Sequence, residues 1–186
     1  MATSISWSDT RDTLPANPSD FWWDWLSKPY KLSEAFKRVA TVLSVDVISQ
    51  QFENILPDEM LLLTLEAHEK PFLRQVYILG DDQRFEYARV IIPTKTYEKH
   101  FSQFEDLGSN LIGENLLYAY PGMKRSGFEY AALRTQDPRF EVALAGLEGE
   151  RPDVLWIRRS IFWLDDLPLA VIEVFLPGIP PFRMAE

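Results

Sequence analysis

Cysteine is absent from the 186 residues, so neither a disulfide nor a thiolate metal site can form. Histidine is almost absent too. His68 and His100 lie in the charged settings Glu66-Ala-His-Glu-Lys and Glu98-Lys-His, which read as surface positions and make a His-rich metal site or a Ser–His nucleophile a poor fit. Positive charge is scarce: 19 Lys and Arg against 28 Asp and Glu leave a formal net charge of −9. A chain that binds phosphate backbones needs clustered cations, so no nucleic-acid partner is expected. No apolar run approaches the ~20 residues of a membrane span. The opening Met1-Ala-Thr-Ser-Ile-Ser-Trp-Ser-Asp9 has neither a basic n-region nor an apolar core, so cytoplasmic residence is the expectation. A Gly-rich phosphate loop, a nucleophile elbow and a His-Glu-x-x-His pair are all missing.

What the chain does have is a large apolar and aromatic share, 46% and 13%, enough to bury a core in one domain spanning 1–186. Residues 1–18 read as an irregular lead-in. Ser19 or Asp20 can cap a helix through Leu26, with Phe21, Trp22 and Trp25 as its apolar stripe, and Lys28-Pro29-Tyr30 ends it. Ser33 to Val42 predicts a second helix and hence a first helical pair. Leu43–Phe52 alternates as a strand, Pro57-Asp58-Glu59 interrupts, and Met60–Ala67 is assigned as strand although Met-Leu-Leu-Leu-Thr-Leu also suits a buried helix. Thr94 or Thr96 starts a helix to about Asp106, stopped by Gly108, and Asn110–Leu117 completes a second pair. Tyr120-Pro121-Gly122-Met123 is a turn, Phe128–Leu133 a strand, and Pro138–Leu147 a short amphipathic helix or an excursion, ended by Gly146 and Gly149. About six strands in hairpin order with inserted helical pairs predict an α+β fold, one antiparallel sheet with helices on one side.

Two segments share a plan. Leu155–Leu164 and Leu169–Leu176 flank Asp165-Asp166-Leu167-Pro168, and Phe72–Leu79 and Phe85–Ile92 flank Gly80-Asp81-Asp82-Gln83-Arg84. Each reads as strand, acidic turn, strand and terminal proline. Counting back four from each proline places Glu173 in one outgoing strand and Arg89 in the other, while Arg74 shares a face with Val76 and Ile78. A charge among apolar neighbours needs compensation. Two readings stand: a structural ion pair, or a closed pocket with Arg for a carboxylate and Glu for a hydroxyl.

The run Phe72-Leu-Arg74-Gln-Val-Tyr-Ile-Leu, followed by Arg89-Val-Ile-Ile-Pro93, resembles the chorismate pyruvate-lyase family of the bacterial ubiquinone pathway. So do Leu107-Gly108 with Leu111-Ile112-Gly113, and Arg158-Arg159 leading to Leu169-Ala-Val-Ile-Glu173-Val-Phe-Leu-Pro177. The resemblance extends back through Asp24-Trp25-Leu26 and Val42-Leu-Ser-Val-Asp-Val, over most of the chain.

It implies a six-stranded antiparallel sheet whose two helical hairpins close as flaps over a buried ligand site, in a monomer without metal or cofactor. The implied reaction removes pyruvate from chorismate to leave 4-hydroxybenzoate. By the same resemblance Arg74 holds the ring carboxylate, Glu173 meets the 4-hydroxyl, Leu32 and Ile112 contact the ligand from the flaps, and Arg89 is a further active-site arginine. Leu32 and Ile112 stand where a relative has methionine and leucine, and Ala88 where it has glycine. Residues 134–153 have no family counterpart and form an insertion. Two rivals follow from the same residues: a non-catalytic aromatic-acid-binding domain of this broad fold, or a lyase for another chorismate-like acid.

Overall fold

The computed structural model describes residues 5–184. In chain order the elements are α1 (Asp20–Ser27), α2 (Leu32–Phe36), β1 (Leu43–Phe52), α3 (Pro57–Leu63), β2 (Phe72–Gly80) and β3 (Gln83–Ile92). Then come α4 (Thr94–Lys99), α5 (Phe101–Glu105), a single π-helical turn (Gly113–Leu117), β4 (Lys124–Arg125), β5 (Glu129–Leu133), α6 (Pro138–Leu144), β6 (Leu155–Leu164) and β7 (Leu167–Phe175). The strands form one antiparallel sheet in the order β1-β2-β3-β7-β6-β4, with β5 also on β6. Seven strands occupy six lanes, because β5 pairs with the first half of β6 and β4 with its second half.

The two hairpins are built alike. In each, a two-residue Asp-Asp loop has both residues at positive φ, 48° and 66° at Asp81-Asp82 and 48° and 63° at Asp165-Asp166. That geometry matches the strand twist, and aspartate tolerates it better than most residues. Asp81 has a second task. Its carboxylate accepts from the Thr41 and Val42 backbone N–H groups, which draws the chain out of helix, so the second helix ends at Phe36 and not at Val42.

Met60–Ala67 is corrected from strand to helix. Pro57 opens α3 in its first turn, and Glu59 Oε2 accepts from the Leu56 N–H at 3.0 Å, so the apolar run continues as helical turns. The expected helix from Thr94 to Asp106 is divided at His100. That histidine is buried, edge-on to Tyr120 at 5.3 Å, whereas His68 is exposed as expected.

Helices cover both faces of the sheet, which corrects the one-sided expectation. On the far face, α3 and α6 pack Leu63, Phe140, Ala143 and Leu144 against Leu73, Tyr87, Ile91, Ile157 and Ile172. Residues 134–153 thus supply part of a core wall through α6. On the near face, α1 and α2 pack Trp25, Leu26, Ala35 and Phe36 against Trp156 and Phe175. The other flap, α4, α5 and the π turn, packs Tyr97, Phe104, Leu116 and Leu117 against Val90, Phe162 and Val171. Between these two near-face clusters the sheet is left to line a cavity.

Candidate active site

Strand register decides which side chains reach the cavity, because cross-strand partners share a face. Three successive rows on the near face are Arg74–Val90–Val171, then Val76–Ala88–Glu173–Arg158, then Ile78–Glu86–Phe175–Trp156. From above, α2 contributes Leu32 and Ser33, and the segment Asn110–Gly113 with Leu117 and Tyr118 contributes the opposite wall. The cavity so enclosed measures about 70 Å³, with a wall that is apolar apart from a few groups. Leu32, Arg74, Ile112 and Glu173 therefore come together.

Arg89 does not. It lies on the far face, where Nε and Nη2 each donate at 2.8 Å to the two oxygens of Glu59, and Nη1 to Gln75 Oε1. The sequence expectation that Arg89 is an active-site arginine is corrected for a specific reason. Continued without interruption, the pairing that starts at Gly80 and Gln83 would set Arg74 opposite Arg89. The register shifts by one between Ile78 and Leu79, so that Ile78 meets Glu86 and Phe85 is the extra residue. A one-residue slip sends every later side chain of β3 to the other face. Counting back from the prolines hid the same fact, since Glu173 pairs with Ala88 and not Arg89.

Arg74 is 2% exposed. Its Nη1 donates to Gln50 Oε1 at 2.6 Å and to the Gly108 carbonyl at 2.8 Å, and Nη2 to the Asn110 carbonyl at 3.1 Å. Gly108, at φ 51°, turns the chain after α5 so that both loop carbonyls face the guanidinium. All three acceptors are neutral, and no carboxylate lies within salt-bridge distance among the described residues. Burial lowers its proton affinity, yet a guanidinium keeps its charge in proteins. Of its five N–H groups, Nε–H and one on the adjacent Nη2 are unassigned, a pair suited to two parallel bonds to one carboxylate.

Glu173 is held differently. Arg158 Nε donates to Glu173 Oε2 at 2.5 Å, and Arg158 Nη1 to the carbonyls of Leu26 and Pro29. This pins both charges to the end of the first flap and leaves Glu173 Oε1 without a hydrogen bond among the described residues. Glu86 and Tyr118 line the cavity and Arg158 holds Glu173, and the sequence reading gave none of the three a place there. Arg158 was findable: counting outward from Asp165-Asp166 sets it opposite Glu173. Glu86 needed the register of β3.

The flaps meet over the cavity. Lys37 Nζ pairs with Glu114 at 2.5 Å, Tyr118 Oη donates to the Tyr30 carbonyl at 2.9 Å, and Arg125 Nη1 donates to the same carbonyl. Among the described residues, no three His, Asp or Glu side chains converge as metal ligands.

An open antiparallel sheet with a helix-covered cavity is found among solved effector domains. The fold is similar to the effector domain of PhnF from Mycobacterium smegmatis (TM-score 0.52, 12% identity, 80% of this chain and 88% of that one). It is also similar to the C-terminal domain of a histidine utilization repressor from Pseudomonas syringae (TM-score 0.50, 12% identity, 78% and 100%). At such identities the likeness concerns the fold alone.

Sequence comparison is more specific. Residues 1–182 match the model of the family described as Chorismate lyase. A probable chorismate pyruvate-lyase of Aromatoleum aromaticum is 35% identical over 83% of this chain and 84% of that one. One from Methylococcus capsulatus is 35% identical over 73% and 82%. The chain belongs to the chorismate lyase family and is an enzyme of that kind.

Proposed function

We propose that the protein releases pyruvate from chorismate and leaves 4-hydroxybenzoate, with Arg74 holding the ring carboxylate and Glu173 the 4-hydroxyl. The observation that carries this reading is Arg74 itself: a buried cation on a cavity wall, hydrogen-bonded only to neutral acceptors among the described residues. A desolvated charge without a partner is costly, and a ligand carboxylate is the natural complement. Glu173, one row along the sheet, is fixed by Arg158 with Oε1 free to accept from a hydroxyl at the other end of a flat ring.

The reaction asks little beyond this. The ether bond between ring and enolpyruvyl group breaks, the ring carbon bearing the hydroxyl loses its hydrogen as a proton, and the departing group gains a proton at its methylene carbon to become pyruvate. Aromatisation supplies the driving force. The chain's residues bind, orient and exclude water, and in a dry site the charge-assisted contacts at both ends of the ring strengthen. Glu173 accepts from the hydroxyl and so orients the ring carbon that bears it and loses the proton.

The experiment is direct. Purified protein incubated with chorismate should release pyruvate and 4-hydroxybenzoate in equal amounts. A non-catalytic acid-binding domain would bind and release nothing, and a lyase for another acid would leave chorismate intact while turning over its relative.

A further inference from the structure

One group on the cavity wall has no part in that account. Glu86 is 2% exposed, lines the cavity, and its Oε2 has no hydrogen-bond partner among the described residues. It sits in the row beyond Ala88 and Glu173, between Ile78 and Phe175, two rows from Arg74. Arg158, the cation that could have answered it, spends Nε on Glu173 and Nη1 on two carbonyls. An ionised Glu86 would be a second negative charge beside Glu173 in a nearly dry wall. Burial, then the charge of Glu173, push its carboxyl well above the usual carboxylate range, against the pull of Arg158. A neutral carboxylic acid offers one O–H donor.

The place of that donor along the sheet suggests its use. Successive rows on one face lie about 7 Å apart, two residues at ~3.4 Å each. With the ring carboxylate at Arg74 and the hydroxyl at Glu173, the row of Glu86 lies past the hydroxyl end, where a group attached beside the hydroxyl extends. Resting on the reading above, we propose that Glu86 is a specificity-determining residue: as a neutral acid it donates a hydrogen bond to the carboxylate of the substrate's three-carbon ether side chain. The charges are consistent with a doubly anionic ligand. Neutral Glu86 leaves Arg74 and Arg158 against Glu173, a net positive site, whereas ionised Glu86 would cancel it. The product lacks the side chain, so Glu86 would distinguish substrate from product.

Three proteins test this: the parent, Glu86→Leu, which fills the space without a donor, and Glu86→Gln, which keeps a donor that cannot ionise. Pyruvate release gives KM and kcat for chorismate, and thermal shift reports 4-hydroxybenzoate binding. Glu86→Leu should raise KM about tenfold or more, the usual loss when a hydrogen bond to a charged group is removed, while its shift with 4-hydroxybenzoate stays at the parental value. Glu86→Gln should raise KM less. A KM for Glu86→Leu within twofold of the parent overturns the proposal, and so does an equal loss of substrate and product binding. If Glu86→Leu does not fold, the pH profile of Glu86→Gln decides. The parental KM should climb as Glu86 ionises and that of Glu86→Gln should not; superimposable profiles overturn the proposal. The charged groups acting on Glu86, Glu173 on β7 and Arg158 on β6, and the titratable Arg74 and Tyr118 elsewhere on the cavity wall are common to both proteins, so a difference belongs to Glu86. A parent that releases no pyruvate overturns the chorismate reading and this role with it. Normal parental turnover with an unaffected Glu86→Leu removes only the role.

Discussion

The two faces of the sheet differ in how completely they pair buried arginine. On the far face Arg89 is gripped by Glu59, Arg139 by Asp58 and Asp137, and Arg159 by Glu129 and Asp58. Burial alone would weaken the hold of Arg89 on its proton, but the charge and hydrogen bonds of Glu59 outweigh it and raise the affinity. On the near face Arg158 is paired with Glu173, while Arg74 has only neutral acceptors among the described residues. The far face is a finished electrostatic network and needs nothing more. The near face is one anion short among the described residues, and the carboxylate of the proposed ligand would make up that shortage.

The largest expected effect breaks the finished side. Glu59→Ala leaves the Arg89 guanidinium buried without its carboxylate, so urea unfolding should show a loss of about 3–5 kcal/mol. Turnover per folded molecule should survive. If activity collapses with stability intact, the far face has a part in the chemistry.

Next comes the unfinished side. Arg74→Lys should leave the melting temperature within a few degrees but lower pyruvate release roughly a hundredfold, about 2.7 kcal/mol of barrier, since one ammonium cannot reproduce a planar two-bond clamp. Near-parental turnover would remove Arg74 from the site.

A smaller effect sharpens the role of Glu173. In the parent, 4-hydroxybenzoate should raise the melting temperature more than benzoate, which leaves Glu173 Oε1 without a donor at about 1–3 kcal/mol. In Glu173→Ala the difference between the two ligands should shrink toward zero. A difference that persists would make Glu173 a structural partner of Arg158 alone.

The smallest effect is a slope. Glu86 has a folded-state proton affinity raised above its ordinary value of 4.5, so above that pH the folded protein holds a proton that the unfolded chain has released. Its contribution to stability is complete below about pH 4.5 and is lost as pH rises through the folded-state value. The stability of Glu86→Gln relative to the parent should therefore grow with pH across that window. Parallel curves from chemical denaturation at a series of pH values would show that Glu86 is ionised in the fold.

Much of this arrangement was legible beforehand. Alternation and acidic turns mark both hairpins, and the Asp-Asp loops with positive φ explain why their plans match. Arg74 and Glu173 stand out as charges in apolar strands, and the resemblance adds Leu32 and Ile112. Local pattern failed where a long-range contact set the outcome. The run after Pro57 became helix because Glu59 is drawn to Arg89 and α3 covers the far face. The second helix stopped early because Asp81, 40 residues beyond Thr41 and 39 beyond Val42, accepts from their N–H groups.

The sequence by itself determined the composition of the protein, its strand and turn chemistry, and the presence of too many charges in apolar strands for all to be solvated. Only the tertiary structure decided which of those charges answer one another. Side chains in a strand alternate, so a single bulge residue, Phe85, inverts the face of everything after it. That inversion carried Arg89 to Glu59 and placed Ala88 and Glu86 on the cavity wall, leaving Arg74 the buried arginine there without an acid among the described residues. Periodicity in one dimension cannot report that inversion, because it depends on which residue of the neighbouring strand each one faces.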